Sequence, residues 1–114
     1  MGTRCLTVFR EADGTEIVVL YRQLDGYPSG HGEELERLLE SKTLVNGLPL
    51  RDDPSLANGM GCLAAQVVAH LKTGPGGFYL HPAGTRGVGE EYVYTVEPAE
   101  SSGLGRVKII TEER

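Results

Sequence analysis

Residues 21–32 carry the densest set of functional groups in the chain: a guanidinium, an amide, a carboxylate, a hydroxyl and an imidazole lie among glycines. Glycine lets a ligand approach the main chain closely. The segment leads into a predicted helix, whose first N–H groups lack helical partners and favour negative charge. We therefore predict an anion site here; its candidate residues are Arg22, Gln23, Tyr27, Ser29, Gly30 and His31. The structural alternative is a tight loop braced by Tyr27 and Pro28.

A second set of candidates lies in the glycine-rich residues 74–89, where Phe78, Tyr79 and His81 precede Arg86. An aromatic ring that stacks on a base contributes about 1–3 kcal/mol. Arginine binds phosphate through two parallel hydrogen bonds. This combination suits a purine nucleotide, although burial in the core is the simpler interpretation of Phe78 alone.

Two smaller features are weaker indications of a ligand. The string Asn58-Gly59-Met60-Gly61-Cys62 opens a second predicted helix, where close packing of the helix on a sheet is favoured over phosphate binding. Arg106 and Lys108 in the last predicted strand are further cations for an anionic ligand. Solvated charges at a sheet edge are the alternative for both.

Catalytic and metal-binding patterns are not evident. His31, His70 and His81 have neither a nucleophile-elbow motif nor the HxH or HExxH spacing of metal sites. The adjacent carboxylates Glu90 and Glu91 are typical of a solvated loop. An enzyme is therefore the less favoured interpretation, and we expect no cofactor and no metal.

Charge and composition restrict the class of protein further. The net charge of −5 argues against a nonspecific grip on long nucleic acid, which needs a basic face. No apolar run approaches the roughly 20 residues that cross a membrane, and no signal-peptide core follows the N-terminus. Cys5 and Cys62 are expected to be buried free thiols in a reducing cytosol. These features predict a soluble cytoplasmic protein.

The predicted elements form one α+β domain, residues 1–114. Strands are predicted at residues 5–9 and 17–21, joined by an Asp-Gly hairpin turn. Helices follow at residues 33–41, capped by Ser29 or Gly30, and at residues 60–71, capped by Asn58, with a polar connection at residues 46–53 between them. Three more strands are predicted at residues 78–81, 92–96 and 106–111. The order ββααβββ predicts an antiparallel sheet with both helices packed on one face.

Two strings in this sequence resemble the phage Thoeris anti-defence sponge proteins of the first described type. The first is Tyr21-Arg22-Gln23 with Asp25-Gly26-Tyr27-Pro28-Ser29-Gly30-His31-Gly32, and the second is Asn58-Gly59-Met60-Gly61-Cys62-Leu63-Ala64-Ala65-Gln66. The resemblance spans both predicted helices and most of the chain.

The resemblance implies a phage-encoded protein, in the cytoplasm of the infected bacterial host, that sequesters cyclic nucleotide immune signals without cleaving them. The implied ligands are glycosidically rearranged isomers of cyclic ADP-ribose and, at separate sites, cyclic di- or trinucleotides of the kind used in CBASS immunity. It also implies a homo-oligomer, in which dimers assemble into a hexamer.

The implied ligands are assigned to the candidate residues as follows. The cyclic oligonucleotide is assigned to Arg22, Gln23, Tyr27, Ser29, Gly30 and His31. Cyclic ADP-ribose is assigned, from side-chain chemistry, to Phe78, Arg86, Arg106 and Asn58. Two other functions remain open: a small phosphodiesterase or hydrolase that uses His31 or His81 with a carboxylate, and a phage structural or interaction protein whose glycines serve only as turns.

Overall fold

The computed structural model describes residues 2–47 and 53–114 of the 114-residue chain. The first two elements are β1 (Cys5–Arg10) and β2 (Glu16–Arg22), which form an antiparallel hairpin. In its turn, Asp13 Oδ1 accepts the Thr15 N–H at 2.9 Å and Gly14 has a φ of 92°. The hairpin predicted from the Asp-Gly pair is therefore confirmed.

A single π-helical turn at Pro28–Gly32 runs directly into α1 (Glu33–Leu39). The residue at the N-cap of α1 is Gly32, and no side chain of the described residues makes a capping hydrogen bond there, so the prediction of Ser29 or Gly30 as the cap is wrong. The second helix, α2 (Gly59–Leu71), follows Asn58, whose side chain also makes no capping hydrogen bond. Both helices lie where the sequence predicted them; α1 continues from the π-helical turn, whereas α2 begins after Asn58, which has a non-helical backbone conformation.

Between the helices lie two short strands that the sequence did not predict, β3 (Thr43–Val45) and β4 (Leu56–Asn58), paired in parallel. Of the predicted polar connection at residues 46–53, residues 48–52 lie outside the described part of the chain. The last three strands are β5 (Phe78–His81), β6 (Tyr92–Pro98) and β7 (Val107–Glu113), close to the predicted positions.

Five strands form the main sheet in the order β5-β2-β1-β6-β7. β1 and β6 run parallel, and the other neighbours are antiparallel. The α+β class is confirmed, but the prediction of a wholly antiparallel sheet is wrong. The reason is residues 82–91: β5 lies outside β2 while β6 lies on the far side of β1, so this segment crosses the sheet instead of closing a hairpin.

Both helices pack on one face of the sheet. That face and the helices share one apolar cluster, to which the strands contribute Cys5, Phe9, Leu20, Tyr94 and Val96, and the helices Leu35, Leu39, Met60, Leu63 and Val67. The opposite face has a smaller buried cluster formed by Leu6, Val8, Val19, Tyr21 and Val93, with Val88 of residues 82–91 packed against it. Both cysteines are free; Cys5 is buried as predicted and Cys62 is half-buried.

Candidate functional site

Arg22, at the end of β2, contacts more candidate residues than any other side chain of the 21–32 segment. Its Nε donates to the Leu24 carbonyl at 2.6 Å, and its Nη1 lies 2.6 Å from Glu34 Oε1 and 3.1 Å from His31 Nδ1. The guanidinium carbon lies 4.9 Å from the centroid of the Phe78 ring, within the range of a cation–π contact. The side chain is only 16% exposed, so these partners fix its orientation.

His31 is completely buried and both of its ring nitrogens are engaged. Because a guanidinium can only donate, Nδ1 accepts from Arg22, and the proton lies on Nε2, which donates to Thr7 Oγ1 at 2.7 Å. The ring meets Tyr94 edge-on, with centroids 5.1 Å apart. Burial, reinforced by the charge of Arg22, lowers the pKa of His31 to about 4. His31 is therefore a neutral imidazole at physiological pH.

Thr7, Arg22, His31 and Glu34 form one connected group, which we call the Arg22 network. It joins β1, β2, the π-helical turn and α1 through side-chain hydrogen bonds. Sequence reasoning found Arg22 and His31 but missed Thr7 and Glu34. The available signal for Thr7 was its place as a lone polar residue in the apolar run of β1, since buried polar groups need partners.

The backbone N–H groups of residues 30–32, next to this network, are bonded to carbonyl groups of the same segment. The N–H groups of Gly30 and Gly32 donate to the Tyr27 carbonyl at 2.9 and 3.4 Å, and the His31 N–H donates to the Asp25 carbonyl at 2.9 Å. These N–H groups are therefore not free to bind an anion, contrary to the expectation of an anion site at the start of this helix. Gly30 is required for a different reason: a Cβ there would lie 2.6 Å from the Asp25 carbonyl oxygen.

The solvent-facing part of the segment presents Gln23, Tyr27 and Ser29. Tyr27 is 39% exposed and Ser29 is exposed, while Gln23 is half-buried and accepts the Tyr21 hydroxyl proton at 2.6 Å. Asp25 between them has a φ of 63°, a left-handed conformation found at no other non-glycine position in residues 2–47 and 53–114. Such strained residues concentrate at functional sites.

A cleft of about 530 Å³ lies beside the Arg22 network and shares Glu34 with it. The cleft separates α1 from the turn before β4 and the end of α2. Its lining is mixed, with charged, hydroxyl and apolar side chains: Glu34, Arg37, Leu38, Ser41, Lys42, Pro54, Ser55 and His70. Its volume is in the range of small-molecule sites.

The residues assigned to cyclic ADP-ribose do not meet within one chain. Phe78 pairs with Arg22 at one end of β2, and Arg86 binds Glu16 at the other end, with Nη2 and Oε2 2.8 Å apart. The two ends of this seven-residue strand are six residue steps apart, roughly 20 Å at the usual rise. Phe78 also packs against the core cluster, in agreement with the simpler interpretation of this residue.

Arg106 and Asn58 are separate again. Arg106 precedes β7, at the sheet edge opposite to β5, and its Nη2 donates to the Glu40 carbonyl at 2.8 Å. Asn58 Oδ1 accepts the Gly47 N–H at 2.8 Å. The four residues therefore occupy different parts of the surface, each with a partner of its own.

Two findings concern the chemistry of the described residues as a whole. No group of three or more His, Cys, Asp or Glu side chains within residues 2–47 and 53–114 is arranged to hold a metal ion. In the same part of the chain, no helix combines the length and the apolar character needed to cross a bilayer.

The comparisons with known proteins give no relative for this chain. No family model matches the sequence, no curated protein is significantly similar to it, and no solved structure matches its fold.

Proposed function

We propose that this protein binds cyclic nucleotide immune signals and sequesters them without cleaving them, in the cytoplasm of an infected bacterial host. The resemblance of its two strings to the Thoeris anti-defence sponge proteins motivates the proposal. The observation that supports it best is the Arg22 network. It immobilises the very segment that carries the first string, and a fixed segment binds a ligand at lower entropic cost.

The exposed rim of this segment is the proposed ligand surface. The Tyr27 ring offers a stacking face and Ser29 a hydroxyl, and both are accessible. Arg22, which lies beneath this rim, can also contribute to the ligand site. Its Nη2 makes no hydrogen bond within the described residues. This leaves two guanidinium protons for a phosphate. A ligand with repeated phosphates suits repeated copies of this surface in a symmetric homo-oligomer.

The hydrolase alternative loses its main candidate base. A general base must be within reach of the proton that it abstracts, and both nitrogens of His31 face buried protein partners. His81 is more accessible, but its ring contact is with Tyr21, at 5.9 Å between centroids. These positions favour binding over hydrolysis for the 21–32 segment.

The proposed cyclic ADP-ribose site needs more than one copy of the chain if Phe78, Arg86, Arg106 and Asn58 contact the same ligand. Within one copy Phe78 and Arg86 lie at opposite ends of β2, Arg106 lies at the far edge of the main sheet, and Asn58 lies in the separate two-stranded sheet. A dimer or hexamer brings surfaces of different copies together, so the proposed assembly and the proposed ligand depend on each other. Light scattering that gives the monomer mass of 12.3 kDa at micromolar concentration would exclude this shared site.

A release experiment tests the function directly. The protein is incubated with a cyclic ADP-ribose isomer or a cyclic trinucleotide, freed of unbound ligand, heated to denature it, and the supernatant is analysed by chromatography. We expect the intact ligand to be recovered. A converted ligand would mean an enzyme, and no retained ligand of either class would favour the structural-protein alternative.

A variant pair tests the surface. We expect Tyr27→Ala to weaken binding of the cyclic trinucleotide by about 1–3 kcal/mol, the contribution of one stacked base. Leu104→Ala is the matched control, since Leu104 is exposed to a similar extent in a different loop. Equal affinities of the two variants, measured by calorimetry, would remove residues 22–32 from the site. Titration of the trinucleotide into protein saturated with the ADP-ribose isomer then distinguishes two sites from one.

A further inference from the structure

The edge strand β5 lies beside an apolar groove, of whose lining residues only Phe78 is assigned to a ligand above. The groove has a volume of about 370 Å³ and separates β5 from the last turn of α2. Its apolar lining is Leu20, Val68, Leu71, Phe78 and Leu80, and Lys72 is the one charged residue among the described residues that line it. Leu80 is 59% exposed, and its neighbour Tyr79 is 50% exposed.

The backbone of β5 offers hydrogen-bonding groups along this groove: the Phe78 N–H and both groups of Leu80 have no backbone partner within the described residues, while the Phe78 carbonyl accepts from Lys72 Nζ. Phe78 is registered opposite Arg22, and the Gln23 N–H donates to the Gly77 carbonyl at 2.9 Å. In an antiparallel ladder this pattern makes Phe78 and Arg22 a non-hydrogen-bonded pair. The N–H and C=O groups of Phe78 and Leu80 therefore point away from β2, toward the free edge of the sheet, because β5 is an outer strand.

Lys72 occupies one end of this edge. Its Nζ donates to the carbonyls of Gly76 and Phe78 at 2.9 and 3.0 Å, and it lies 5.4 Å from the Tyr79 ring centroid. An ammonium group has three protons, so one remains for a further acceptor. The charge marks the end of the groove next to Phe78, while Pro82, which has no N–H, follows the other end of β5.

We infer that this groove binds an extended peptide with an apolar C-terminal side chain and a free carboxylate. The peptide adds a strand to β5, as in other domains that recognise peptides at a sheet edge. Its carboxylate pairs with Lys72, which lies at the Phe78 end. The peptide therefore runs antiparallel to β5, bonds the Phe78 N–H and the outward N–H and C=O of Leu80, and places its last side chain against Leu71 and Val68.

The probe is an N-acetylated pentapeptide of alternating threonine and valine that ends in leucine with a free carboxylate. In ¹⁵N-resolved NMR spectra of the full chain, we expect the amides of Phe78 and Leu80 to shift most. Amidation of the peptide C-terminus is expected to weaken binding roughly tenfold, the effect of one charge-assisted contact. In Lys72→Gln the two peptides should bind alike, whereas Lys108→Gln, on the opposite edge strand, should keep the difference.

Backbone pairing has its own test. N-methylation of the peptide amides that face β5 should abolish binding, and methylation of the alternate amides should leave it unchanged. Shifts confined to other surfaces, or equal affinity of the acid and the amide in the unaltered chain, would overturn the proposal. Shifts at Phe78 and Leu80 that depend on protein concentration without peptide would assign the edge to a second copy of the chain, and would equally overturn it.

Discussion

Residues 22–32 and residues 82–91 are both glycine-rich connections, yet the glycines are needed for different reasons. At Gly26 a Cβ would lie 2.8 Å from Cys5 Cβ and 2.9 Å from the Arg4 carbonyl carbon, so bulk is excluded. At Gly84 and Gly87 the space is open, but φ is 86° and 71°. The first segment is closely packed on the core. The second has positive φ angles, a backbone conformation that is unfavourable for residues other than glycine.

The two segments also differ in how their polar groups are held. The first rests on the buried, neutral His31 and its partners. The second is held by carboxylates: Glu16 Oε1 accepts the Gly84 N–H at 2.8 Å, and the two oxygens of Glu90 accept the N–H groups of Gly87 and Val88 at 3.0 and 2.8 Å. Two segments of similar composition are thus held in different ways. The first is held by a buried neutral side chain, and the second by carboxylates that accept its backbone N–H groups.

The largest expected effect is that of Gly26→Ala. Its new methyl group meets backbone atoms of Arg4 and Cys5, which cannot rotate away. We expect a loss of about 3 kcal/mol or more in the free energy of unfolding, at the upper end of overpacking costs. Urea denaturation followed by circular dichroism measures it. Gly61→Ala is the control, since Gly61 lies in α2 with no atom near its Cβ position, and it should gain stability. A Gly26→Ala variant as stable as the parent would disprove the packing argument.

The next effect is a pH dependence of stability that His31 gives to residues 22–32 between pH 7 and 5. The pKa of His31 is lowered by burial to about 4 in the folded chain, from its ordinary value of 6.5. Between pH 6.5 and pH 4 the histidine is protonated in the unfolded chain but neutral in the folded chain. The free energy of unfolding is therefore highest above pH 6.5 and falls as the pH drops toward 4, by about 3 kcal/mol in all.

The measurement is the free energy of unfolding at a series of pH values between 7 and 5. This interval lies above the ordinary pKa of the carboxylates that hold residues 82–91. His31→Asn should flatten the curve there, and His70→Gln, which alters an exposed histidine, should leave the slope intact. An unaltered slope in His31→Asn would show that another group titrates.

Thr7→Val should have an intermediate effect. The substitution keeps the shape of the side chain but leaves the buried Nε2 proton of His31 without its acceptor. We expect a loss of about 1–3 kcal/mol, the cost of one unsatisfied buried donor. Thr95→Val is the matched control, because Thr95 is also buried in the sheet but its hydroxyl makes no hydrogen bond within the described residues. Equal stabilities of the two variants in thermal denaturation would remove Thr7 from the network.

The smallest effect is expected in the crossing segment itself. Gly87→Ala places a Cβ in open space, so only the left-handed backbone conformation is penalised, by about 1–2 kcal/mol. Gly87→Asn should cost less, because asparagine tolerates this conformation. Thermal denaturation of both variants measures the difference. A loss as large as that of Gly26→Ala would mean that the two segments do not differ as described.

Local signals in the sequence predicted most of the elements. The Asp13-Gly14 turn and the apolar spacing of α2 are short-range patterns, and both led to correct elements. The strands β3 and β4 have three residues each and owe their pairing to contacts with the rest of the chain. Too few residues alternate there for any pattern to appear, so they were missed.

The arrangement of the strands in the sheet could not be predicted from local sequence patterns. The parallel pairing of β1 with β6 depends on the path of residues 82–91 across the sheet, and no pattern within β6 indicates the direction in which that strand runs. In the candidate site, His31 looked like a ligand contact because its type suits one. Its burial depends on Thr7 and Tyr94, which lie 24 and 63 positions away.

The parallel pairing of β1 with β6 also has a consequence for biosynthesis. Cys5 of β1 is paired with Tyr92 of β6. The β1–β2 hairpin of a nascent chain therefore leaves the ribosome long before β6, which pairs with the other edge of β1. Until then Leu6 and Val8 on one side, and Phe9 on the other, remain in water with an open strand edge between them. Such chains fold slowly because distant segments must meet first, and they are exposed to aggregation while they wait. In a cell that makes many copies quickly, this hairpin is the part of the molecule that a chaperone would be expected to bind.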